Sequence, residues 1–135
     1  MALFNRLTLA QRSVLPSLAG FFVYGLWAFA MNIMHGLPTA AKSAAVQGAY
    51  SFFITLGMTL MIEAMFRFFR RRLSSVWLAC ALTVVFSCIP VFLGSWYVNV
   101  AAGTPEIVQT VMLGYIVGFC FSVTYVIGLH KKLST

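Results

Sequence analysis

The sequence predicts an all-α integral membrane protein, a four-helix bundle made of two tandem helical hairpins with both termini in the cytoplasm. Three observations lead there. Hydrophobic residues make up 61% of the 135-residue chain and charged residues 8%, a balance foreign to water-soluble domains of this size. Four apolar stretches, about residues 14–34, 44–66, 76–98 and 106–129, are each long enough to cross roughly 30 Å of hydrocarbon. Eight of the nine basic residues fall on one side of those spans: Arg6, Arg12, Arg67, Arg70, Arg71, Arg72, Lys131 and Lys132, with Lys42 opposite. That bias puts the ends inside.

The spans form a single domain, residues 1–135. Residues 1–13 hold Arg6 and Arg12 among apolar residues, as a short helix lying on the membrane surface does. The first span places Pro16 in its opening turn, where a missing N–H costs little. Ala28-Phe29-Ala30 mimics a signal-peptide cleavage site, but the apolar run continues past it and bulky Trp27 and Phe29 crowd it, so the segment is expected to be retained. A loop from Asn32 to Ala41 leads to the second span, which ends in the Arg67–Arg72 run. The third span contains Pro90, a kink site, with Ser87 near enough to help the freed carbonyls. Trp96 and Tyr97 end it as interfacial aromatics.

Within the second span, Gln47, Ser51, Thr55, Thr59 and Glu63 recur every fourth residue among apolar neighbours. Four residues turn an α-helix about 40° past a full circle, so these five make one slowly winding polar seam. In lipid such a seam must face protein or water. It serves either packing, with hydroxyls bonded back to their own helix and Gln47 to a neighbour, or a polar path for a substrate. Packing is the favoured expectation.

A displacement of 67 residues relates two halves, about 1–67 and 68–135. Asn32, Gly36 and Pro38 return as Asn99, Gly103 and Pro105, which suit a helix stop, a left-handed turn and a helix start. Ser43, Gln47, Ser51 and Thr55 map onto Thr110, Gly114, Gly118 and Ser122, and Glu63 maps onto His130. The hairpins would then be related by a pseudo-twofold axis along the membrane normal. The hairpin Asn32-Ile-Met-His-Gly36-Leu-Pro38, followed by an apolar helix and Arg67 and Arg70–Arg72, resembles a short two-span bacterial membrane domain of unknown function that can occur in tandem. The resemblance implies a bacterial inner membrane and no chemistry. The second half departs from it, with Glu106 after the Pro and Lys131-Lys132 in place of the arginines.

The stripe Thr110, Gly114, Gly118 and Ser122 contains G-x-x-x-G and predicts close helix packing, within the chain or between copies. Glu63 lies one turn from Arg67, the favourable order for an ion pair, and the repeat lets it meet His130 across the axis. Arg67, Arg70, Arg71 and Arg72, interleaved with Phe68 and Phe69, suit anionic lipid on the cytoplasmic side. His35 has no second His and no acid at ligand spacing, so no metal is expected. Cys80, Cys88 and Cys120 lie in apolar spans as small hydrophobes. The net charge of +7 follows the span ends rather than forming a nucleic-acid surface. Paired carboxylates, a nucleophile beside a base and a phosphate loop are all missing from the sequence, so neither an enzyme nor a cofactor is expected. Two functional classes remain: a small transporter-like or lipid-handling protein, working as a homo-oligomer, or a non-catalytic accessory subunit of a larger membrane complex.

Overall fold

The computed structural model describes the backbone of residues 9–134 and the side chains of residues 14–131; Arg6, Arg12, Lys132 and the surface-helix expectation for residues 1–13 lie largely outside this range. Four long helices follow in order: α1 (Leu9–Asn32), α2 (Leu37–Arg72), α3 (Val76–Ala102) and α4 (Ile107–Ser134). A single 3-10 turn, Ile33–His35, joins α1 to α2. No strand occurs among the described residues, and all four helices are long and apolar enough to cross a membrane. Side chains such as Leu26, Phe53, Leu60 and Trp77 are between 68% and 72% exposed, which suits lipid as solvent and would be ruinous in water.

Helix ends follow local chemistry. Gly36 (φ +99°) and Gly103 (φ +69°) occupy conformations that L side chains rarely adopt, and so stop α1 and α3. Pro38 sits at the start of α2, where it lacks nothing. Ser75 caps α3 by accepting from the Leu78 N–H at 3.3 Å. One boundary differs from expectation: α2 begins at Leu37, not near 44. Residues 39–45 are Thr, Ala, Ala, Lys, Ser, Ala, Ala, which interrupt an apolar run without interrupting a helix. α3 likewise passes Pro90, Trp96 and Tyr97 and runs on to Ala102.

The helices meet differently at their two ends. Near the arginine end the buried apolar cluster comprises Met58, Ile62 and Phe66 of α2, Cys80 and Val91 of α3, and Val126 of α4. Among the described side chains, none of α1 belongs to it. Instead α1 lies on α2, where Gly25 meets Gly48; a Cβ at 48 would stand 2.9 Å from the Phe21 carbonyl oxygen. α1 and α4 are tied near the Gly36 and Gly103 turns.

Candidate functional site: a cleft between α1 and α4

The tie at the turn end is polar and fully bonded. Asn32 donates to its own helix at the Ala28 carbonyl (2.8 Å) and across to the Thr110 hydroxyl of α4 (2.8 Å). Its side-chain oxygen accepts from the Glu106 N–H (3.1 Å). Asn99 does the same in the other direction, donating to the Ser95 carbonyl (2.9 Å) and to Gln47 Oε1 of α2 (2.6 Å), and accepting from the Thr104 hydroxyl (2.9 Å). Both amides are wholly buried, where an unmet N–H or C=O is costly, so each network fixes a helix crossing. The Trp27 indole N–H adds a bond from α1 to the Gln109 carbonyl of α4 (2.7 Å). Above this layer His35 meets Glu106 at 2.9 Å, joining the two turns. The expectation that His35 has no acid nearby is therefore corrected: its partner lies 71 residues away and only the fold supplies it. No group of three metal ligands forms among the described residues.

Below the polar layer the four helices enclose a cavity of about 330 Å³. Its floor is the buried face of α2 (Gln47, Ser51, Met58) with Val91 and Ser95 of α3. Its rims are exposed residues of α1 (Pro16, Ala19, Val23) and of α4 (Val117, Phe121). A buried floor between exposed rims describes a cleft that opens sideways, toward lipid. None of the described residues that line it is charged. A second, shallower pocket of about 400 Å³ continues along α2 and α4 to Glu63 and Tyr125, and Phe121 borders both.

The polar seam runs through this region, over about 24 Å of α2 from Gln47 to Glu63. Gln47, Ser51 and Thr55 line the cleft. Thr59 is half-buried, and Glu63 stands at the far pocket. Their bonding corrects one expectation. Thr83, Ser122 and Thr124 bond back to carbonyls four residues earlier, at 2.7–2.8 Å. Ser51, Thr55 and Thr59 make no hydrogen bond among the described residues, nor does the Tyr24 hydroxyl on the opposite wall. Gln47 Nε2 has one long contact, 3.3 Å to Ser95 Oγ, which leaves an N–H of this buried amide facing Gly114.

Within the chain, the glycines of the small-residue stripe of α4 meet no close helix among the described residues. Thr110 and Ser122 are buried at its ends, but Gly114 and Gly118 border the cleft. A Cβ on either would meet only side-chain atoms of Gln47 (3.8 Å) or Val91 (3.6 Å), so no helix backbone approaches them within the chain. The close approach lies at Gly25 and Gly48 instead.

The arginine end mixes agreement and correction. Glu63 pairs with Arg67 at 3.5 Å, as the i,i+4 spacing predicts. It also accepts from the Tyr125 hydroxyl of α4 at 2.8 Å, a partner the spacing did not reveal. His130 does not meet Glu63; its ring packs 5.6 Å from that of Trp77. Arg72 lies over the Phe68 ring at 4.5 Å, and Arg70 and Arg71 are exposed beside it. Nor does Ser87 relieve Pro90: its buried hydroxyl has no partner, whereas the Tyr50 hydroxyl reaches the Pro90 (2.9 Å) and Val91 (3.0 Å) carbonyls. The three cysteines stay unpaired thiols, Cys80 and Cys88 buried and Cys120 exposed.

No protein-family model, curated protein or solved structure matches the chain. Function has to be argued from the cleft.

Proposed function

We propose that this is a small bacterial inner-membrane protein of the transporter-like or lipid-handling kind, which holds a largely apolar molecule in the cleft between α1 and α4. One observation carries the reading: buried Ser51, with Thr55 and Tyr24, presents hydroxyls to the cleft that no group of the described chain uses. Thr83 of α3 and Ser122 of α4, also buried in apolar surroundings, bond back to their own helices, whereas Ser87 of α3 does not and lies away from the cleft. A lipid-like molecule entering sideways would meet an apolar wall with a few unsatisfied polar groups, the usual make-up of a small-molecule site.

The topology belongs to the same proposal. Both termini face the cytoplasm, and two tandem hairpins are related by a pseudo-twofold axis. Crossings 67 residues apart support it: Asn32 bonds to α4 as Asn99 bonds to α2, and Gly25 meets Gly48 as Phe92 meets Tyr115. The exposed Arg67, Arg70, Arg71 and Arg72 then contact anionic lipid on the cytoplasmic side. Reporter fusions at Thr135 and near Ala41 should read cytoplasm and exterior, and an exterior C-terminus removes this topology.

Native mass spectrometry of the purified protein tests the main reading. The wild type should retain a small apolar molecule that is lost from Gly118→Leu, whose side chain fills the cleft. Equal retention by both variants would sink the proposal. Retention of a second polypeptide on the Gly114/Gly118 face would favour the alternative, an accessory subunit in which the cleft receives a partner helix.

A further inference from the structure

Resting on that reading, we propose a ligand class for the cleft: the ring of a prenylated quinone, with its isoprenoid tail left in the bilayer. The volume argues for a ring alone. About 330 Å³ is at the small end for a ligand site, enough for a head group but not for a long chain as well. The exposed rims of α1 and α4 leave the tail a way out between them.

Charge argues for a neutral head. Among the described residues no charged side chain lines the cleft, and the Glu63–Arg67 pair stands at the pocket nearer the arginine end. A phosphate or carboxylate drawn among these residues would lose its hydration with none of their side chains to supply a cation. Hydrogen bonding argues for carbonyl oxygens. The unused groups are the Ser51, Thr55 and Tyr24 hydroxyls and one N–H of Gln47, all able to donate. They come from α1 and α2, so two walls of one cavity offer donors, which suits a ring with carbonyls on opposite edges. A plain hydrocarbon would leave every one of them unmet. Tyr24 on one wall and Tyr115 and Phe121 on the other supply aromatic surface for a flat ring.

The test uses the full chain in nanodiscs with an azido-substituted short-chain ubiquinone as photoprobe, mapped by peptide mass spectrometry. Labels should fall within residues 16–24, 47–58 and 114–121, and decylubiquinone should compete. Farnesol, a tail without the ring, should not. Ser51→Ala with Thr55→Val removes two donors at almost constant shape and should weaken competition about 10-fold. Val117→Phe, at a lipid-exposed rim, should block labelling in a folded protein, while Leu93→Phe, exposed on α3 away from the cleft, should not. Labels scattered over lipid-facing positions, or competition by farnesol as strong as by decylubiquinone, overturn the quinone assignment. If the native spectra still show a retained apolar molecule, lipid handling survives that result; if they show none, both readings fall.

Discussion

The α2–α3 and α1–α4 contacts are made of residues related by a displacement of 67, yet one is closed and the other is open. At α2–α3, Tyr50 lies over Gly94 and bonds to the Pro90 and Val91 carbonyls, filling the space between the helices. At α1–α4 the corresponding residues are Val117, Trp27, Val23 and Tyr24. Val117 is too short to cross the gap, and with Val23 and Tyr24 it lines the cleft. Trp27 turns toward the Gln109 carbonyl and closes only the turn end. A few side chains therefore decide which contact becomes a cavity. The helix crossings differ in the same way: Gly25 on Gly48 brings α1 against α2, whereas Phe92 on Tyr115, with ring centroids 4.5 Å apart, holds α3 and α4 a ring's thickness apart.

The largest expected effect comes from breaking the glycine crossing. Gly48→Leu puts a side chain where a Cβ already meets the Phe21 carbonyl oxygen at 2.9 Å and its ring at 3.2 Å. Backbone cannot yield as a side chain can, so α1 should leave α2 at a cost of about 3 kcal/mol. Tyr115→Leu at the corresponding place in the other pair removes a stacked ring and a 2.7 Å bond to the Phe92 carbonyl, about 1–2 kcal/mol. Thermal melting in one detergent compares them. If Gly48→Leu melts with the wild type, the tight crossing is not what holds α1.

Next is the closed contact itself. Tyr50→Val gives α2–α3 the side chain that α4–α1 carries and should extend the cleft, which Tyr50 already lines, between α2 and α3, at about 2 kcal/mol. Gly94→Ala attacks the same place from the other helix, since its Cβ would stand 2.5 Å from the Tyr50 hydroxyl oxygen. A single cysteine at Val91, in the buried floor of the cleft, should react faster with a membrane-permeant maleimide in both variants than in the wild type. Equal rates throughout would mean Tyr50 is not what closes this side.

The bundle was legible in sequence because its cause is local. Apolar runs set the spans, positive-φ glycines set the turns, and i,i+4 spacing set the Glu63–Arg67 pair. The seam was equally legible as a stripe. What spacing could not supply is what a stripe faces. Gly114 and Gly118 have the pattern of a packed interface and border a cavity, since spacing on one helix does not say whether another helix lies opposite. The polar partners were hidden for the same reason: His35 and Glu106, Asn99 and Gln47, and Glu63 and Tyr125 lie 71, 52 and 62 residues apart. The glycine contact had a trace in the sequence, since Gly25 lies eleven positions before Gly36 and Gly48 eleven after Leu37, so that they face each other across the turn. That is a geometric consequence of two antiparallel helices.

The two asparagine networks offer a finer comparison. Each holds three bonds, but Asn99 also fixes the Gln47 amide that borders the cleft, whereas Asn32 fixes the Thr110 hydroxyl outside it. Asn32→Leu and Asn99→Leu should each cost about 1–2 kcal/mol, the usual scale for polar contacts between membrane helices. Only Asn99→Leu should also free the Gln47 side chain and alter retention of the apolar molecule proposed for the cleft. Melting separates the first expectation, and native mass spectrometry the second. Equal retention in both variants would mean that Gln47 is not part of the site.

The smallest effect is expected at Glu63. The residue 67 positions on, His130, packs its ring 5.6 Å from that of Trp77. The Glu63 carboxylate accepts from Tyr125 at 2.8 Å and meets Arg67 at 3.5 Å. Arg67 is 65% exposed and Glu63 37%, so solvent and headgroups screen the pair and it contributes well under about 1 kcal/mol. Glu63→Gln keeps an oxygen that accepts from Tyr125 and gives up only that screened attraction, so melting should shift little. Tyr125→Phe removes the bond that links α2 to α4 and should cost more, about 0.6–1.7 kcal/mol. Proton flux in proteoliposomes adds a readout that a structural role leaves unmoved. Gln cannot release a proton, so a carboxylate that couples transport would lose a pH-driven signal in a folded Glu63→Gln protein, while a tie between helices would keep it. Loss of that signal at unchanged melting would move Glu63 from the packing of α2 against α4 to the chemistry of transport.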